Sequence, residues 1–153
     1  MDDDICKKVK TLIREQGACV LATASENIPH CSLMAYASNS SCEEIYLMTL
    51  SDTRKYKNMS ENPAVSILID TRQAAVESDH KNAMALTVSG RFYRITQGAE
   101  REAIRKQLIQ KHPELKDFFE DPRGEPVKII LESYTLLEGP TKAYHGDISG
   151  GIV

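Results

Sequence analysis

The 153 residues suffice for one domain with a substantial core, and a composition of 41% hydrophobic and 27% charged residues is globular, not disordered. The net charge of −3 lacks the basic excess of proteins that bind nucleic acid or acidic membranes, so neither partner is expected. No apolar run reaches the length of a membrane span, and the acidic start Met1-Asp2-Asp3-Asp4 is the opposite of a signal-peptide n-region, so a cytoplasmic location is expected.

Residues 2–16 predict a helix. Ile5, Val9, Leu12 and Ile13 recur on one face, acids occupy the first turn, and Gly17 supplies the stop. Residues 18–25 are apolar nearly throughout and predict a strand buried on both faces. Glu26-Asn27 fits a two-residue turn into a second strand over 28–38, with Pro29 at its beginning, where a missing amide is tolerated. Asn39-Ser40-Ser41 has loop composition.

Residues 44–70 read as strand, short helix, strand. Asp52 can act as the N-cap, and Pro63 disfavours helical geometry at Asn62. Arg54 and Lys55 then fall in the first turn, at the positive pole of the helix dipole, where cations are unfavourable. A bound anion such as phosphate would reverse that sign. The bland alternative is that both side chains simply reach water.

Residues 71–82 are polar and aperiodic, a loop. Strand character returns over 83–96, with Gly90 marking a bulge or a close backbone approach. Residues 97–111 predict an amphipathic helix whose apolar face is Ala99, Ala103, Ile104 and Leu108. Pro113 opens a further helical turn carrying Leu115, Phe118 and Phe119. Asp121-Pro122-Arg123-Gly124 is turn chemistry, and residues 126–138 form a last alternating strand. The tail 139–153 has four glycines and no period, and predicts a flexible or partner-crossing segment. The chain is thus one domain, 1–153, of α+β class and mainly β, with six strands. Patterning alone leaves a barrel as one option.

Cys6, Cys19, Cys31 and Cys42 form no C-x-x-C pair and predict reduced thiols without a metal or redox role, with Cys19 and Cys31 core or half-buried. His30, His80, His112 and His145 are scattered and make no metal site. Walker, G-x-G-x-x-G, G-x-S-x-G and H-E-x-x-H motifs are absent. No catalytic residue emerges from the residues themselves.

One set of segments carries a resemblance. Leu21-Ala22-Thr23, Pro29-His30-Cys31-Ser32, Tyr46-Leu47-Met48-Thr49, Thr53-Arg54-Lys55, Asn58-Met59 and Asn62-Pro63-Ala64-Val65-Ser66 stand in the order and spacing of one family. Through them the chain resembles the pyridoxamine 5'-phosphate oxidase-like, FMN-binding split-barrel superfamily. The resemblance implies a six-stranded antiparallel split β-barrel with flanking helices, and a homodimer with FMN at the subunit interface. By position, Arg54 and Lys55 would hold the phosphate with help from the Thr53 hydroxyl. Met48 and Thr49 would lie near the ring or ribityl chain, and Ser32, Met34, Ala35 and Tyr36 along the second-strand edge.

The departures are specific. Met84-Ala85 stands where the oxidase carries an Arg-Gln pair, and Tyr144-His145-Gly146-Asp147 stands in place of its C-terminal Arg-Leu-His-Asp-Arg motif. The resemblance therefore implies a divergent flavoprotein and not the oxidase itself: an FMN-dependent oxidoreductase acting on a small-molecule substrate or electron donor. A non-catalytic electron-transfer module and a haem-binding relative on the same barrel are the alternatives. The tail, which takes the place of the substrate motif, is expected to be either a lid over the pocket or a frayed end.

Overall fold

The computed structural model describes residues 3–71 and 83–148. Helix α1 (Asp3–Glu15) buries Ile5, Val9, Leu12 and Ile13, the face its periodicity predicts. Burying each of these side chains stabilises the fold by roughly 1.5–3 kcal/mol. Strands β1 (Ala18–Ser25) and β2 (Ile28–Ala35) form a hairpin in full register from Ala18↔Ala35 to Ser25↔Ile28. Glu26 and Asn27 both have positive φ, 52° and 63°, the geometry that matches a two-residue turn to strand twist.

The strand expected over 28–38 is broken at Tyr36, whose amide donates to the Gly17 carbonyl at 3.1 Å. Beyond it, β3 (Ala37–Ser38) pairs with β4 (Glu44–Leu50). Helix α2 (Arg54–Glu61), β5 (Ala64–Asp70), β6 (Met84–Arg94), α3 (Gly98–Lys111), a 3-10 turn (Pro113–Leu115) and α4 (Lys116–Phe119) follow. The long β7 (Gly124–Glu138) and β8 (Lys142–Asp147) end the described chain.

Among the described residues the sheet has eight strands where six were expected, in the order β2-β1-β5-β6-β7-β4-β3, with β8 paired to β7 and every pair antiparallel. Its two terminal strands, β2 and β3, are consecutive in sequence. The sheet therefore curls until its edges meet across the single residue Tyr36, which makes a split barrel flanked by helices. Residues 142–147 of the tail are not frayed: they pair with β7 from Glu138↔Lys142 to Ser133↔Asp147. The loop expected over 71–82, His80 included, lies outside the described residues except for Thr71.

Two cores result. Inside the curl, Leu21, Ile67, Ile69, Leu86, Val88, Val127, Ile129 and Leu131 pack with the apolar face of α1. Outside it, Tyr46, Met48, Ile95, Ile104, Leu108 and Phe119 join β4 to α3 and α4. Burial on both faces, expected for β1, belongs to β4, which is enclosed from Ile45 to Thr49; β1 alternates, its outward residues only half-covered by the described residues. Ala99 and Ala103 are exposed, so the buried face of α3 narrows to Ile104 and Leu108. Cys19 is buried as expected, but Cys31 is exposed on the edge strand β2. At Gly90 the β6–β7 register slips, and a Cβ there would come within 2.7 Å of Ile129 Cγ2 and 2.8 Å of the Ile130 carbonyl oxygen.

Candidate functional site

The site begins with how α2 is capped. The cap is Thr53, not the Asp52 expected: Thr53 has extended geometry (φ −78°, ψ 154°) and its Oγ1 accepts from the Tyr56 amide at 3.4 Å. That hydroxyl also donates to the Leu50 carbonyl at 2.8 Å and lies 3.1 Å from the Thr49 Oγ1. A hydroxyl has one proton and two lone pairs. Thr53 spends its proton on Leu50, so Thr49 is the donor in their bond and Thr53 has nothing left to offer a phosphate. Its part is to hold the start of the helix open and oriented. The anion-binding capacity of this end rests on first-turn amides, which have no acceptor within the helix, and on the cations beside them.

A cleft of about 370 Å³ opens at that helix end. Leu33, Met34 and Ala35 of β2 form one wall, Met48, Thr49 and Leu50 of β4 the other, and Thr53 and Lys55 close one end. Leu115, Phe118 and Phe119 stand opposite. Six expected site residues therefore meet here: Met34, Ala35, Met48, Thr49, Thr53 and Lys55. Three do not line the cleft. Ser32 is half-buried farther along β2. Tyr36 is fully buried and its phenol donates to the Ile13 carbonyl at 2.6 Å, so it pins α1 instead of facing a ligand. Arg54 leaves the other flank of α2, into a polar groove of about 470 Å³ bounded by the β1–β2 turn. Among the described residues neither Arg54 nor Lys55 has a hydrogen-bond or ion-pair partner.

The aromatic wall was missed by sequence reasoning. Its signal was a Leu115, Phe118, Phe119 set on a helical turn too short to bury both of its faces; Phe119 enters the core and Phe118 remains 44% exposed. The wall is anchored from behind. His112 Nε2 lies 2.8 Å from the Tyr36 carbonyl oxygen, and the neighbouring Lys111 amine donates to the Gln16 carbonyl at 2.6 Å, over the Tyr36 ring at 4.3 Å. Burial pulls the Lys111 amine below its ordinary pKa. The family-like asparagines are structural. Asn58 Nδ2 donates to Thr23 Oγ1 at 3.1 Å in a buried bond, and Asn62 Nδ2 donates to the Ala24 carbonyl at 3.1 Å. Together they dock α2 on β1. His145 of β8 bonds Thr135 of β7 and takes no part in the cleft, and no described residue of the tail lines it.

The family model for pyridoxamine 5'-phosphate oxidase matches residues 5–133. A search of curated proteins by sequence finds no match. Solved structures share the fold. A haem-binding protein from Mycobacterium smegmatis superposes with a TM-score of 0.77 at 17% identity, over 92% of this chain and 57% of that one. The haem storage protein HutZ from Vibrio cholerae gives 0.70 at 18% identity, over 87% and 93%. An FAD-binding protein from Mesorhizobium loti gives 0.68 at 17% identity, over 89% and 94%. At such identities the likeness is one of fold. Among the described residues no helix is long and apolar enough to cross a membrane.

Proposed function

Since the chain belongs to the pyridoxamine 5'-phosphate oxidase family, we propose that it is a flavoprotein that binds FMN in the cleft between β2, β4 and α4 and acts as an oxidoreductase on a small molecule. One observation carries this reading: an apolar cleft of about 370 Å³ ends at a helix N-terminus beside Lys55, a cation with no partner among the described residues. The volume is within the range of about 300–1,000 Å³ usual for cofactor sites. The polar end suits a phosphate and the apolar length suits a planar ring. Flavin, when bound, supplies hydride or single-electron transfer. The chain's residues bind and orient it: first-turn amides and Lys55 hold the phosphate, and Met34, Met48 and Phe118 keep water from the ring.

Homodimerisation belongs to the same reading. The outer face of β1 is half-covered and β2 is an edge strand carrying Leu33 at 78% exposure, a surface that a two-fold partner would bury. The four cysteines are all free, which fits a reducing cytoplasm.

Haem is the second reading, because two structural neighbours are haem proteins. Among the described residues of the cleft the side chains able to ligate iron are the Met34 and Met48 thioethers; no described histidine or cysteine lines it. The absorption spectrum of purified protein separates the two, flavin bands against a Soret band. Lys55→Ala should then weaken FMN binding about ten- to a hundredfold, the loss of one charge-assisted bond of roughly 1.5–3 kcal/mol, and leave riboflavin binding unchanged. Undiminished FMN affinity in that variant would move the phosphate elsewhere.

A further inference from the structure

His112 stands where two walls of the cleft are tied together. It ends α3, and the 3-10 turn that follows hangs from it: its carbonyl accepts the Leu115 amide at 3.0 Å. Leu115, Phe118 and Phe119 of the aromatic wall come next in the chain. On its other side the buried ring meets the Tyr36 carbonyl through Nε2 at 2.8 Å, one residue beyond Ala35 of the β2 wall. A Cβ on Gly17 would come within 3.1 Å of the His112 Cε1, so the ring has no room to turn that way.

A carbonyl oxygen only accepts, so Nε2 carries a proton in both charge states of the ring. The charge is decided at Nδ1, which faces a Glu114 carboxylate oxygen at 3.6 Å. A neutral ring turns a lone pair towards that carboxylate and repels it, whereas a protonated ring attracts it into a charge-assisted bond. The other titratable groups about the ring are the Lys111 amine at the end of α3, which opposes a second positive charge, and the Tyr36 phenol at the strand break, with the Cys19 and Cys42 thiols acting on Lys111. Burial pushes the Tyr36 phenol and the Cys19 thiol up, so both stay neutral where histidine titrates, between about pH 5 and 8. Gly17 and the Phe119 ring, 6.3 Å away, face it without charge. We propose that His112 is the positioning residue of the aromatic wall, and that proton uptake at Nδ1 draws in Glu114, and with it the 3-10 turn and Phe118, tightening the cleft on its ligand. The identity of that ligand rests on the flavin reading.

The chain contains no tryptophan, so Phe118→Trp places a sole fluorescent reporter on the wall. In the ligand-free protein its emission should move to shorter wavelength as pH falls through the histidine range. Adding Glu114→Gln, a change at a side chain 66% exposed, should abolish that shift. With Phe118 in place, riboflavin should bind about two- to fivefold more tightly at the acid end, the effect of one partly exposed ion pair, and equally at both ends in Glu114→Gln. Riboflavin is the probe because the phosphate of FMN changes charge over the same range. His112→Gln, which keeps a donor for the Tyr36 carbonyl but cannot titrate, should show neither dependence. Emission that ignores pH, or that titrates equally in Glu114→Gln, overturns the inference, and so does riboflavin affinity that fails to follow the emission. Emission that titrates as expected in a protein that binds no flavin overturns the flavin reading and leaves the hold of His112 on the wall standing.

Discussion

Single residues here are constrained by what surrounds them more than by their type. Burial pushes the Cys19 thiol up to about 12 from its ordinary 9.0. The folded state then holds its proton more tightly than the unfolded chain, so this contribution to stability is intact below pH 9.0 and is lost as pH rises towards 12. Denaturation followed by circular dichroism should show a steeper alkaline loss for the native chain than for Cys19→Ala, even though the variant is less stable at neutral pH. Thiol reagents at pH 8 should leave Cys19 and Cys42, both buried, unmodified until the protein unfolds. Gly90→Ala should cost stability directly, since its methyl group would meet both a side chain and a backbone oxygen at under 3.0 Å, and backbone cannot move aside alone. Tyr36 shows where one residue misleads. Its place in a family-like strand suited a ligand contact, but nothing in the strand pattern revealed that the chain leaves one sheet edge there and joins the other.

Among the elements, α2 carries the most consequence per residue. Thr53→Ala removes its cap and should lower stability by about 1 kcal/mol, seen as a small fall in Tm. Asn58→Ala breaks the buried bond to Thr23 and leaves that hydroxyl unpaired, a cost of about 1–3 kcal/mol that chemical denaturation would read. The limits of α1, β1, β5 and α2 were legible in the sequence to within a residue or two, because periodicity and the glycine or proline at the ends agree there. The N-cap was misplaced by one position because Asp52 and Thr53 are both capping residues and adjacent, and only the backbone angles choose between them. β8 was illegible, since a glycine-rich segment has no period until β7 offers it an edge. The aromatic wall of the cleft was read as helix and not as site, because its role depends on His112 reaching the Tyr36 carbonyl across the fold. Lys55 at the polar end of the cleft was legible from charge at the helix start, but the separation of Arg54 from it required the helix to be in place.

For the whole molecule, light scattering at micromolar concentration should return twice the chain mass of 17.1 kDa; a monomer would remove the dimer from the proposed function. Truncation after Gly139 removes the β8 ladder and Ile148, 5% exposed and bonded through its amide to the Glu132 carbonyl at 2.9 Å. Tm should fall by roughly 5–10 °C. FMN affinity should hold, because the described tail residues lie off the cleft of their own chain; a loss of affinity would place the tail across a partner. The ladder from Glu44↔Ile130 to Leu50↔Gly124 has a kinetic consequence as well. It joins segments separated in sequence by every element from α2 to α4, so loop-closure entropy delays it, and the cleft beside β4 has only part of its walls until it forms. A ligand of that cleft cannot template folding. Added FMN should leave the stopped-flow refolding rate unchanged and slow unfolding in proportion to occupancy, so that bound cofactor lengthens the life of the native state without hastening its arrival.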